Sequence, residues 1–387
     1  MVNETRLVEQ FMALVRVDSE TGHEGEIAKR LVDLFTELGL NVEEDDTKER
    51  TGHGAGNLIC TLPAAPGMED AVPIFFTCHM DTVTPGKGIK PRLDEDGYIR
   101  SDGTTILGSD DKAGIAALLE ALRILKEQKV PHGPIEAVIT VGEESGLVGA
   151  KAMSAGKLKA KFGFALDSNG AVGDICVAAP TQAKISITVH GKSAHAGVNP
   201  EDGISAIVLA SKAIARMPHG RIDAETTANI GRFQGGGPTN IVCDRVDIDA
   251  EARSLVREKL DRQVEAMRRA FEETALEFGG RVEFRSEIMY IGYKVDESSP
   301  VVEIASAALR SIGLAPRLFH SGGGSDANIF NGLGIPTVNL AVGYENIHTT
   351  QEQIPVRAMV DTARAVIAII QEAARRKADV GQPEQKI

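Results

Sequence analysis

Residues 74–81 read IFFTCHMD, an apolar run that stops at an imidazole, His79, and a carboxylate, Asp81. Three other runs end in the same way. AVITVGEE, residues 137–144, stops at Glu143 and Glu144; GFALDSN, residues 163–169, carries Asp167; and TVNLAVGYENIH, residues 337–348, leads to His348. Short runs that are apolar throughout, rather than alternating, suit strands buried on both faces of a parallel sheet. Between the first two lies an Ala- and Leu-rich helical stretch, residues 112–127, entered through GSDDKAG with Asp110 and Asp111. Strands alternating with helices predict an α/β fold, a mostly parallel mixed sheet flanked by helices. Such sheets build their sites outside the carboxyl ends of the strands, so these side chains, far apart in sequence, are expected to converge.

Working outward, Leu7, Phe11, Leu14 and Val15, then Ile27, Leu31, Leu34 and Phe35, recur at helical spacing and predict two amphipathic helices. Residues 57–62 and 72–78 read as strands. From Thr181 the texture changes to alternating strands at 183–189, 227–233, 241–253 and 281–289, with helices at 203–217 and 257–278. That β-α-β-β-α-β order is the ferredoxin-like arrangement of a self-contained α+β unit. The α/β texture returns with a helix at 301–312, a strand at 336–342 and a helix at 356–375. The expected organisation is an α/β domain in two pieces, 1–180 and 292–387, interrupted by an inserted domain at 181–291. The tail DVGQPEQKI, residues 379–387, is expected to fray.

Composition narrows the function. Among 387 residues, 42 Lys and Arg against 55 Asp and Glu give a formal charge of −13, the wrong sign for neutralising phosphates, so no nucleic-acid partner is expected. No run approaches the roughly eighteen apolar residues of a membrane span. The N-terminal segment lacks a signal-peptide core. Cys60, Cys78, Cys176 and Cys243 show no paired spacing, which argues against a disulfide framework or a thiolate zinc site and fits a reducing cytoplasm. Cys78 faces away from its neighbour His79 on an extended strand and reads as core.

Two imidazoles with several carboxylates and no thiolates suit one or two divalent ions, zinc first, cobalt or manganese also. His79 and Asp81, two apart on an extended chain, share a face, so Asp81 can orient the imidazole. Glu143 and Glu144 can divide the labour, one binding metal and the other taking a proton from water. Taken singly, each of these residues is more often ordinary solvated surface. HSGGGSDAN, residues 320–328, lacks the Gly-Lys-Ser/Thr ending of a nucleotide loop, and Ser325 does not sit in a G-x-S-x-G elbow.

The motifs HMDTV (79–83), GSDDKAG (108–114), GEESG (142–146), ALDSN (165–169), GKSAHAG (191–197) and NIHTTQE (346–352) together resemble the co-catalytic dizinc exopeptidases and amidohydrolases, which include peptidase T, glutamate carboxypeptidase and aminoacylase. They stand in family order over nearly the whole chain. The resemblance implies two metal ions: His79 and Asp167 on one, Glu144 and His348 on the other, and Asp110 bridging both. It implies Glu143 as general base and acid, Asp81 as support for His79, and a cis peptide between Asp110 and Asp111. In the inserted domain, read as a lid, it implies His195 as a stabiliser of the tetrahedral oxyanion across a homodimer. It also implies Asn240 and Arg253 as substrate-binding residues, and Gly323 and Gly324 as lining the cleft.

An Asp at position 167 resembles the aminopeptidases and dipeptidases of that family, implying a short peptide cut at its N-terminal bond. The segment GKSAHAGVNPEDGISA, residues 191–206, resembles instead the carboxypeptidases and N-acyl amino acid deacylases. A non-catalytic metal-binding scaffold is the reading of another class, whose mark would be loss of Glu143 or of a ligand; here every such position is filled.

Overall fold

The computed structural model describes residues 1–154 and 156–377; the tail at 379–387 lies outside them. They form two compact units: 1–177 with 294–320 and 325–377, and 178–293 with 321–324.

The larger unit holds a mixed sheet in the order Asn41–Glu44, Leu58–Leu62, Ile135–Thr140, Ile74–His79, Phe162–Ser168, Thr337–Ala341, Asp174–Ala179. The strands at 135–140, 74–79, 162–168 and 337–341 run parallel. Every residue of Ile74–His79 and Ile135–Thr140 is buried, the two-sided burial their apolar runs predict. The register sets His79 beside Thr140, Thr77 beside Ala165, and Ala341 beside Ser168, so the four strands finish along one edge. Against this sheet packs the helix Ser109–Gln128, buried along most of its length, which rules out polar residues there except where partners exist. It enters through Gly108 at φ 75, a left-handed backbone that glycine adopts without cost. Helices Glu4–Val15 and Val356–Ala374 pack on it.

In the smaller unit the strands Thr181–His190, Thr226–Gly235, Arg245–Ser254 and Arg281–Tyr290 form an antiparallel sheet, with Thr181–His190 between the last two. Helices Ala206–Arg216 and Arg257–Phe278 cover one face, closing a core around Ile185, Ile187, Leu209, Met267 and Phe271. The order β-α-β-β-α-β is as the sequence predicts. The strand expected from 241 begins instead at Arg245, because Ile241 is drawn aside to bridge His195. The sequence reading also omitted Asn41–Glu44, Asp174–Ala179 and Arg317–His320.

Candidate metal centre

At the carboxyl edge of the parallel strands, Asp110 holds one imidazole on each of its oxygens. Oδ1 lies 3.1 Å from His79 Nε2, and Oδ2 lies 3.3 Å from His348 Nε2. Each imidazole has a further carboxylate of its own: Asp167 Oδ1 at 3.6 Å from His79 Nε2, and Glu144 Oε1 at 2.9 Å from His348 Nε2. The peptide between Asp110 and Asp111 is cis. Five side chains from five segments thus make two half-sites that share Asp110.

The far side of each ligand is tied to the scaffold. His79 Nδ1 lies 3.0 Å from the main-chain oxygen of Asp81, closer than the Asp81 carboxylate at 3.5 Å. Donation to that carbonyl keeps a proton on Nδ1 and turns Nε2 toward Asp110. The Asp81 carboxylate, fully buried, accepts from Glu143 N (3.0 Å), Glu144 N (3.3 Å) and Thr21 Oγ1 (2.7 Å). It therefore grips the Glu143–Glu144 turn as well as facing His79, a task the sequence did not foretell. Asp167 is fixed through its backbone by Asn339, which accepts from Asp167 N at 3.0 Å and donates to Asp167 O at 2.8 Å. Tyr344 donates to Asp167 Oδ1 at 3.2 Å.

Crowded carboxylates and burial set the proton affinities. Burial, then the Asp167 charge, pushes the Glu143 carboxyl well above the usual range; burial likewise raises Asp167 to about 7 and Asp326 to about 6. Hydrogen bonds donated to Asp110 and then to Glu144 lift His348 to about 10, although burial opposes them. Burial also opposes the rise at His79, but Asp110, Asp167 and Asp81 outweigh it. The Glu143 side chain makes no hydrogen bond among the described residues, which leaves it available as a base.

The donor set fits two hard-to-borderline divalent cations: neutral imidazole nitrogens, carboxylate oxygens and a surplus of negative charge with no Lys or Arg among the ligands. Two overlapping groups, His79 with Asp110 and Glu144, and His79 with Asp111 and Asp167, have donor atoms within 4.8 Å of one another.

Residues 75–372 match peptidase family M20/M25/M40. The chain belongs to that family. It is a hydrolase of the metallopeptidase kind with the family's α/β fold. It is 61% identical to the crystal structure of aminopeptidase PepT from Bacillus cereus, which covers 96% of this chain and 99% of that one with a TM-score of 0.89. A tripeptidase from Staphylococcus aureus is 49% identical, covering 97% and 100%, with a TM-score of 0.94. The Bacillus subtilis protein YqjE is 60% identical over 375 residues, 97% of this chain and 100% of YqjE.

The other residues predicted for the site lie in the smaller unit. His195 is exposed; Gly197 N donates to its Nδ1 at 3.2 Å, and the bridge to Ile241 holds Asn240 beside it, with Ala196 N donating to Asn240 O. Arg253 already spends Nε and Nη2 on Glu251 at 2.9 and 3.0 Å, leaving Nη1 toward Gly322 O at 3.5 Å. Residues 321–324, expected with the catalytic piece at 292–387, group with the smaller unit. Gly324 is required there by Tyr290, since a Cβ would stand 2.4 Å from its ring, and Gly324 N donates to the Tyr290 hydroxyl. Sequence reasoning missed Asn339, Tyr344, Thr21 and Glu352. Only Glu352 carried a signal, as the last residue of NIHTTQE.

Proposed function

We propose that the chain is an aminopeptidase that removes the N-terminal residue of short peptides, tripeptides foremost, using two divalent ions, zinc in the first place. The observation that carries this reading is Asp110 with an imidazole on each oxygen, the disposition of a carboxylate shared by two ions. His79 and Asp167 would hold one ion, Glu144 and His348 the other. Bound there, the ions supply Lewis acidity, polarising the scissile carbonyl and making a water acidic near neutral pH. Glu143, held on its turn by Asp81, takes the water proton and returns it to the leaving amine. His79 stays a donor to Asp81 O, so its lone pair remains committed to the cleft. The kinship with a tripeptidase and an aminopeptidase over nearly the full chain supports cleavage at the amino end. The smaller unit is proposed as a lid that also forms a homodimer, with His195 serving the partner's site, and Asn240 and Arg253 holding substrate. Arg253 would have to exchange Glu251 for a substrate carboxylate, for which its planar fork is suited. Free cysteines, and no helix long and apolar enough to cross a membrane among the described residues, accord with a proposed cytoplasmic location.

The test is a panel of free-amine tripeptides against N-acylated amino acids, with zinc, cobalt or manganese restored to chelated protein. Release of the N-terminal residue from tripeptides, abolished in Glu143→Ala while metal content is kept, is expected. Cleavage of blocked substrates alone would give the deacylase reading instead, and turnover by Glu143→Ala would overturn the role of that residue.

A further inference from the structure

Glu352 is 2% exposed, and its carboxylate gathers five donors. Oε2 accepts from Leu107 N at 2.8 Å and Gly108 N at 2.9 Å; Oε1 accepts from Ser109 N at 2.6 Å, Ser109 Oγ at 2.5 Å and Asp110 N at 3.1 Å. Four successive amides thus point inward on one anion, a concave nest that a left-handed glycine, Gly108, makes possible. The nest is the entry to the helix that carries Asp110. The carboxylate comes from another segment, the closed loop 345–353, whose base is pinned by Glu345 and Gln353 exchanging backbone hydrogen bonds at 2.8 and 3.0 Å. At the tip of that loop is His348, with its side chain 49% exposed and its backbone at φ 61. Thr349 O, next to His348, accepts from Glu352 N. Asp110 and His348 therefore meet twice: directly, Oδ2 to Nε2, and through Glu352, which clamps the backbone of one to the loop of the other.

We infer that Glu352 is a positioning residue that sets the spacing of Asp110 and His348, and through it the affinity of the Asp110–Glu144–His348 half-site for its ion. The other half-site has separate supports. His79 leans on Asp81 O and donates its amide to Asp111 Oδ2 at 3.2 Å, and Asp167 is held by Asn339 and Tyr344. Removing Glu352 should therefore weaken the ion at His348 more than the ion at His79 and Asp167, since Asp110 is common to both but only His348 stands on the loop that carries Glu352. An amide in its place turns an NH₂ group toward amides that need an acceptor, leaving buried donors unpaired on the nest side only.

This inference rests on the two-ion reading, and the test separates the two. Metal-free wild type and Glu352→Gln are titrated with Co²⁺, followed by its visible absorption and by calorimetry, with far-UV circular dichroism as the check on folding. Wild type should take two equivalents. In Glu352→Gln the first should bind close to wild type and the second weaker by about 10- to 100-fold, as for other residues that support metal ligands. At limiting metal kcat should fall, with the peptide KM unchanged, and excess metal should restore it. Two wild-type affinities in a folded Glu352→Gln, or equal weakening of both, would overturn the inference. Should wild type take a single equivalent, the two-ion reading fails on its own. Glu352 is then judged by amide hydrogen exchange in the metal-free chain, where faster exchange at both 107–110 and 345–353 supports the clamp and unchanged exchange refutes it. If Glu352→Gln does not fold, Glu352→Asp, which keeps the charge one methylene shorter, is read in the same way.

Discussion

Replacing Asp81 by Asn probes the join between the proposed metal ligands and the proposed base, Glu143. The side chain is fully buried, with Glu143 N on Oδ1 and Glu144 N and Thr21 Oγ1 on Oδ2. An amide offers one oxygen, and its NH₂ group must face one of these donors. If the oxygen keeps Thr21 and Glu144, the amide of Glu143 is left buried and unpaired, at a cost of about 1–3 kcal/mol. The His79 tautomer should survive, because Nδ1 donates to the main-chain oxygen of Asp81, which the substitution does not touch. The damage therefore falls on the turn that holds the base. The expected result is a loss of about 1–3 kcal/mol in urea unfolding of the metal-free chain, with metal stoichiometry unchanged. Activity with metal restored should drop about 10- to 100-fold in kcat. KM should hold, since a fully buried side chain cannot touch substrate. Thr21→Ala, which removes one neutral donor and leaves both amides paired, should cost only about 1 kcal/mol. Loss of an equivalent of metal in Asp81→Asn, or an unchanged kcat, would refute this division of roles.

Two further outcomes follow from the site. Asp167, at about 7, and His348, at about 10, both hold protons more tightly than in an unfolded chain, so between about pH 5 and 7, below the range where the buried Lys112 ammonium at about 7 acts in the opposite sense, the folded metal-free protein binds more protons and loses stability as pH rises. Melting midpoints of chelated protein should fall across that window, and restoring metal should weaken the dependence because ions take the place of the protons; a midpoint that climbs with pH would contradict it. Separately, mixing His195→Ala with Glu143→Ala chains should recover activity if His195 serves a partner's site, and a verified mixed dimer without activity would count against that arrangement.

The strand-end residues were legible because their signal is a change of character within a few positions, apolar run to ionisable group, and because a parallel sheet must gather such ends on one side. His79, Asp110, Glu144, Asp167 and His348 meet for that reason. Two of the strands that escaped notice are of another kind: Asn41–Glu44 is mostly exposed and carries two acids, and Arg317–His320 is four residues at a sheet margin, so neither is long or buried enough to show a periodic pattern. Asp174–Ala179, apolar after Asp174 and buried throughout, has the character of the strands that were read and was passed over. The supports escaped for a different reason. Nothing in the sequence tells an Asn that ties down the backbone of Asp167 from any other Asn in a strand, since the information lies in the register of 337–341 against 162–168. Gly324 was legible as a place of close approach, but what approaches is Tyr290, which only the fold could say.

Several buried acids in the larger unit fall into two kinds, according to whether the protein supplies their partners. Glu120 is sealed by Arg6 and Asn3 N, Glu136 by Lys159 N and Ala160 N, and Glu352 by its five donors. These carboxylates are answered by the protein and act as scaffold. Asp111 and Asp326 each have an oxygen with no partner, and Glu143, Asp111, Asp167 and Asp326 are all pushed toward the protonated form by burial. Leaving such groups together costs stability, because each must keep a proton or face its neighbours' charge. A fold that tolerates this at one edge of one sheet, while sealing its other buried acids, is prepared for cations there. Cation binding and folding are then linked through the same carboxylates, so a substitution that relieves their crowding should stabilise the metal-free chain and weaken its hold on metal together.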